Sequence, residues 1–259
     1  MAMLKYLLTT ASVFISLLVP GMRGDDMTTW FTGAHASLYG DMQGRGTMEG
    51  GCGYGDLNKR EYNLQTAALS EALFNDGLAC GACFAIMCVD DTKGCKPSAG
   101  SAVVTATDYC PPIYTKPPNG TNNWCNPPLK HFKLSMPMFT RIAEEKVGVV
   151  PVVYRRVPCA KEGGVKFQLF KGNSNLMRVL LYNVAGAGDV SNVKIKGSVI
   201  SGWLQMSRIQ GQTWETGTDL QGQSLSFQVT TSDGKMVEFD NVVDKTWQFG
   251  ETFDGIKNF

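Results

Sequence analysis

The sequence has little of what most catalytic and nucleic-acid-binding proteins display. Histidine occurs only twice in 259 residues, as His35 and His131, so a histidine-based metal centre is poorly supplied. Charged residues are 18% of the chain, against roughly 25% in ordinary soluble domains. The formal net charge is only +1, which gives no general footprint for nucleic acid or for an anionic membrane surface. No Gly-x-Ser-x-Gly nucleophile elbow and no phosphate-binding loop is present. The glycines of Gly50-Gly51-Cys52-Gly53-Tyr54-Gly55 do not open a helix after a strand, so they read as tight turns. Two carboxylates facing each other across a groove, as a glycosidase requires, cannot be picked out among the scattered acids. After the first twenty residues no apolar run approaches the length of a membrane span. No cofactor is called for.

What is present is apolar and glycine-rich. Apolar residues are 43% and glycine 29 of 259, a composition that favours packed sheets and turns over long exposed helices. Residues 1–24 read as a secretory signal peptide: Lys5, an apolar run from Tyr6 to Val19, then Pro20 and Gly21. Without them the formal charge is about −1.

All eight cysteines lie between Cys52 and Cys159. In an exported chain an even count implies disulfides, and eight cysteines allow 105 pairings that sequence alone does not resolve. Residues 25–160 therefore read as a cross-linked unit. Pro158 to Gly164 reads as a polar hinge, and residues 161–259 as a cysteine-free second unit.

The first unit has β-rich runs at Phe84–Val89, Ala102–Thr107 and Val149–Val157. It also predicts two helices. One is capped by Thr66, carries Leu69, Ala72 and Leu73 on a face, and ends at Asn75-Asp76-Gly77. The other is capped by Ser135, has Pro137 in its first turn, and carries Phe139 and Ile142. Pro111–Pro128 is a long loop holding the sequon Asn119-Gly-Thr121. The second unit reads as a β-sandwich of about eight short strands, with a hairpin turn at Ser232-Asp233-Gly234.

Several motifs then converge. They are Gly46-Thr47-Met48, Cys52-Gly53-Tyr54-Gly55, Thr66-Ala-Ala-Leu-Ser70 with Ala72-Leu-Phe-Asn75, and Cys80-Gly-Ala-Cys83-Phe84. Further along come Cys110-Pro-Pro112, Trp124-Cys-Asn-Pro-Pro128 and Val153-Tyr-Arg-Arg-Val-Pro-Cys159. The second half adds Asn183-Val-Ala-Gly-Ala-Gly-Asp-Val190, Gly222-Gln-Ser-Leu-Ser-Phe227 and Trp247-Gln-Phe-Gly250. Over nearly the whole chain after residue 24, the sequence resembles the plant α-expansins.

The resemblance implies a mainly β protein, a double-psi β-barrel like that of family-45 endoglucanases followed by an immunoglobulin-like β-sandwich. It implies a secreted, monomeric plant cell-wall protein. Such a protein disrupts non-covalent contacts between cellulose and matrix glycans such as xyloglucan, without hydrolysis. It implies the pairs Cys52–Cys80, Cys83–Cys159, Cys88–Cys95 and Cys110–Cys125. It places Ser37, Tyr39, Asp108, Tyr109, His131 and Lys133 in a polysaccharide groove. Trp203, Trp214, Asn175 and Gln210 fall on a cellulose-binding face, with Asn119 as the glycosylation position.

The sequence also departs from the family. His131-Phe132-Lys133 stands for the usual His-Phe-Asp, so a cation replaces the expected groove carboxylate. Ser37-Leu38-Tyr39 replaces Thr-Phe-Tyr, Gln43 replaces an Asp, and Asp108 and Tyr109 replace Asn and Phe. Asp108 is a candidate to pair with Lys133 and restore groove neutrality; the alternative is that Lys133 points to solvent. Asn175 and Gln210 replace surface aromatics, which predicts weak cellulose binding. One or both of Trp203 and Trp214 are open to a core role. A wall-glycan binder without loosening activity and a family-45-like endoglucanase are the alternative readings.

Overall fold

In a computed structural model of the chain, the described residues are 28–44, 50–114, 123–173 and 176–259. The signal segment 1–24, Asn119 and Asn175 lie outside them. Six strands close into a barrel: β1 (Phe31–Tyr39), β2 (Thr66–Ser70), β3 (Cys83–Cys88), β4 (Ala102–Cys110), β5 (Lys130–Ser135) and β6 (Val149–Val157). Their order around the barrel is β1-β5-β2-β4-β3-β6, with β1 parallel to β5 and β2 parallel to β4. Parallel neighbours need crossovers, and the one from β2 to β4 carries the short helix α1 (Glu71–Phe74); a second helix, α2 (Met136–Ile142), links β5 to β6.

Thr66–Ser70 is a strand and not the start of a helix. All five residues are buried and paired with β4, and Ala67, Ala68 and Leu69 pair with β5 on the other side, so a double ladder overrides a weak local helix pattern. Only Glu71–Phe74 turns helical, and it ends where Asn75, Asp76 and Gly77 all take positive φ. Ser135 does occupy the N-cap position of α2, but its hydroxyl donates to the Leu64 carbonyl and not to the helix. Inside the barrel, small Ala34, Ala36, Ala67 and Ala106 interleave with Phe84, Phe132, Leu134 and Tyr154.

Nine strands form a sandwich. They are β7 (Lys166–Lys171), β8 (Met177–Tyr182), β9 (Val190–Gly197), β10 (Leu204–Gln205), β11 (Ser207–Gln210), β12 (Thr213–Thr216), β13 (Leu225–Thr231), β14 (Met236–Val243) and β15 (Thr252–Asp254). One sheet runs β10-β9-β13-β14 and the other β11-β12-β8-β7-β15. Phe167 stacks on Phe227 at 4.6 Å and meets Phe239 edge-on at 5.0 Å between them. Disulfides join Cys52–Cys80, Cys83–Cys159, Cys88–Cys95 and Cys110–Cys125, all in the barrel half or its exit.

The connector is not a hinge. Cys159 exchanges two backbone hydrogen bonds with Gly186, of 2.7 and 3.1 Å, and the Asn183 amide donates to the carbonyls of Glu162 and Gly164. Leu180 and Tyr182 alternate with core-facing Val179 and Leu181. Their side chains therefore leave the outer face of the sandwich and pack on Tyr54, Leu57, Tyr62 and the Cys52–Cys80 bridge. Gly81 and Gly188 bring backbone against backbone: a Cβ on Gly81 would lie 2.5 Å from the Gly188 carbonyl oxygen. Arg156 pairs with Asp189 at 2.5 Å, and the Gln212 amide donates to the Cys80 carbonyl at 2.7 Å.

Two units fastened this way unfold together. Calorimetry of the mature chain is expected to show one transition, and two resolved transitions would contradict the interface. Gly188→Ala, which meets both a positive φ and the facing backbone, is expected to cost about 3 kcal/mol.

Candidate functional site

Alternate residues of β1 and β5 face outward from the barrel and lay down a polar strip. Ser37 Oγ and His131 Nε2 share a hydrogen bond of 2.8 Å. Below them the Ser70 hydroxyl accepts the His131 amide at 3.0 Å and donates to the Leu129 carbonyl. At one end His35 lies against Trp124, ring centres 4.2 Å apart, and the same indole stacks over His131 at 6.2 Å. Toward the other end the Tyr39 hydroxyl meets Thr66 Oγ1 at 3.2 Å. Burial, with the Asp108 carboxylate adding to it, pushes the Tyr39 phenol up from its ordinary value.

Asp108 does not pair with Lys133. Its Oδ1 accepts the backbone N–H groups of Gly51 and Tyr109, at 2.5 and 2.7 Å. Both residues register with Ala68, on opposite sides of β2, so a strand separates them. The close fit of the Gly50-Gly51 turn on β4 fixes the carboxylate: a Cβ on Gly50 would sit 2.8 Å from that of Asp108. Lys133 is half-buried on the strip with no ion-pair partner among the described residues. Tyr109 stacks on Phe74 at 4.7 Å. Gln43 is exposed, its amide held by Asp41 in a local turn.

Ser37 and His131 have the spacing of a nucleophile and its base, but not the electronics. Burial, then the nearby His35 and Lys133, hold the His131 imidazole down to about 3. Its Nδ1 is buried without a partner, where a working dyad has a carboxylate to orient and stabilise the ring. The strip can hold hydroxyl-rich ligands, and it is poorly equipped to move protons.

Of the expected cellulose-binding face, Trp214 lies in the sandwich core, only 3% exposed, with the Arg208 guanidinium 4.6 Å above its ring. It alternates with Thr213 and Glu215, so it faces inward and they face out. Trp203 is half-exposed, and one ring face carries the Lys196 ammonium at 4.5 Å. Gln210 is exposed but turned toward the barrel, donating its amide to the Gly51 carbonyl at 3.1 Å. Farther along that sheet the surface is an ion pair, Arg178–Glu215 at 2.6 Å. The structure thus links groove and sandwich through Asp108, Gly51 and Gln210, and it assembles no aromatic platform from these positions.

Three contributors escaped the sequence reading. Local spacing makes Thr66 a helix cap and Ser70 part of that helix, and Trp124 stands out only within a motif. The one available signal was the sequence Trp124-Cys125: the Cys110–Cys125 bridge ties Trp124 to the end of β4.

The His131 shift predicts an acid-sensitive slope. An imidazole that titrates near 3 when folded and near 6.5 when unfolded leaves the unfolded state holding more protons between those values. Stability is therefore full above pH 6.5 and declines as pH falls, by about 2–3 kcal/mol at pH 4.5. Urea unfolding across pH should show this slope, and His131→Phe should flatten it.

Comparison with known proteins gives one family. Residues 165–243 match the Expansin C-terminal domain family, and residues 66–154 match the family described as Lytic transglycolase. Arabidopsis thaliana Expansin-A23 is 53% identical over 90% of this chain and 82% of its own, and Expansin-A22 is 55% identical over 90% and 80%. Rice Expansin-A32 is 46% identical over 87% and 83%. Among solved structures, an apo Clavibacter michiganensis expansin superposes with a TM-score of 0.63 at 19% identity, covering 87% of this chain and 96% of its own. A mutant of that protein in complex with cellohexaose gives 0.62 at the same identity and coverage.

Proposed function

This chain belongs to the plant α-expansins, secreted cell-wall-loosening proteins that do not hydrolyse their substrate, and from that premise we propose that its barrel strip is the loosening surface. It engages glucan chains of cellulose and of matrix glycans and replaces glucan–glucan contacts with protein–glucan contacts. The observation that carries this reading is the state of the two groups best placed for hydrolysis. Oδ1 of Asp108 is taken by two backbone amides, and His131 is held neutral far below wall pH. A glycosidase needs one carboxylic acid and one carboxylate free at the bond. This strip offers hydrogen bonds from Ser37, Tyr39 and Lys133 and a stacking edge at His35–Trp124, which suit binding of a sugar chain. The solved bacterial relative with cellohexaose supports a cellulose-type ligand.

Lys133 and Gln210 favour a second reading, a wall-glycan binder without loosening. One puts an unpaired cation on the strip, and the other is engaged with Gly51.

Heat-inactivated walls held under constant load at acidic pH are expected to extend with the purified protein and to release no reducing ends. Trp124→Ala should lower the extension rate several-fold. Reducing-end release would reject the non-hydrolytic reading. Wall retention without extension would move the assignment to the second reading, and extension regained in Lys133→Asp would then place the loss in the strip.

Retention on crystalline cellulose should be weak. Trp214→Ala is expected to act on folding, costing about 3–5 kcal/mol, and not on the retained fraction of folded protein.

A further inference from the structure

A cleft of about 560 Å³ opens between the barrel and the sandwich, at the end of the barrel where β1 and β5 begin. That is within the usual size of small-molecule sites, and barrel mouths are a common place for them. Ser37, His131 and the other strip residues do not line it.

Its floor is aromatic. Phe31 and Tyr154 stack at 5.4 Å, and Tyr154 continues into the barrel core against Phe132 at 5.0 Å. Leu73 and Leu78 form a side wall, and Leu78 is 46% exposed. Besides the charged rim, the hydrogen-bonding side chains are Asn75, Tyr154, Ser191 and Ser232, and both serines are engaged. The Ser191 hydroxyl donates to the Thr230 and Thr231 carbonyls, and that of Ser232 donates to Asp189.

The rim carries Lys130, Arg156 and Arg208 against one carboxylate, Asp189, an excess of two positive charges. Arg156 is matched by Asp189 at 2.5 Å. Arg208 gives its donors to the carbonyls of Val190 and Gly211. Lys130 is different. Its ammonium stands 5.9 Å from the ring centres of both Phe31 and Tyr154, with no carboxylate or hydrogen-bond partner among the described residues. A cation held over an aromatic floor, with apolar walls and few open hydrogen-bonding groups, matches one kind of ligand.

We propose that this cleft is a second binding site, and that it takes a small aryl carboxylate. The planar ring lies on Phe31 and Tyr154 against Leu78, and the carboxylate meets the Lys130 ammonium. A neutral phenolic leaves that ammonium unmatched. A sugar acid brings more hydroxyls than Asn75 and the few other polar side chains of the walls can satisfy, and each buried without a partner is costly.

The test is an NMR titration of the mature protein with 4-hydroxycinnamate, 4-hydroxycinnamyl alcohol and galacturonate. The acid is expected to bind with a Kd of about 1 mM or tighter and to shift resonances of Phe31, Leu78 and Lys130. The alcohol and galacturonate are expected to bind at least about tenfold more weakly, as is the acid to Lys130→Met. Leu78→Asp, a change at an exposed position, should also weaken the acid and serves if Lys130→Met folds poorly. No shifts at these residues, galacturonate binding as well as the acid, or unaltered affinity in both variants would each overturn the proposal.

Discussion

The backbone approach of Gly81 to Gly188 governs this molecule. Only residues without a Cβ allow the barrel and the sandwich to come so close. Once they do, Leu180 and Tyr182 reach the tyrosine cluster, Arg156 reaches Asp189, and Gln210 reaches Gly51. Tyr62 lies fully inside this cluster, where burial drives its phenol up to about 12. Lys161, on the connector, sits over the Tyr62 ring at 4.5 Å, and burial brings its ammonium down to about 8. These are groups of a protein interior, although they belong to a junction between two units. Neither unit has a finished surface on that side.

The electrostatics of the strip follow from how its polar groups are satisfied. A carboxylate that accepts two backbone amides is a structural brace, and a histidine wedged between Trp124 and Ser37 is a neutral one. With Lys133 where the resemblance implies a carboxylate, no side chain described on the strip is well suited to carry a proton. Loosening by competition needs none. The same arrangement explains why the chain keeps polar groups in a groove and yet shows no hydrolytic constellation among the described residues.

Much of this was legible in the sequence. The motif resemblance points to barrel and sandwich together, and period-two patterns locate strands such as Leu225–Thr231. Illegible were the features decided by distant partners. Thr66–Ser70 carries helical spacing yet becomes a strand, because β4 and β5 pair with it from both sides. An Asp and a Lys of opposite charge suggest a bond, yet Asp108 was claimed by a glycine turn more than fifty residues away. Strand alternation alone does not say which face of β12 is inward, so Trp214 was open to either fate until the second sheet covered it. Gln210, expected from the resemblance on a cellulose-binding face, turns to the other unit.

The pinned connector also has a consequence for geometry at the scale of the polymer. A bead-and-string protein adapts to a bent or disordered chain by letting one part swing. This one presents its two halves at a fixed spacing, as a gauge does. A glucan chain that touches both must hold a length and direction set by the protein. Segments already straight and extended lose the least in conforming, so under the proposed function rigidity itself favours such segments.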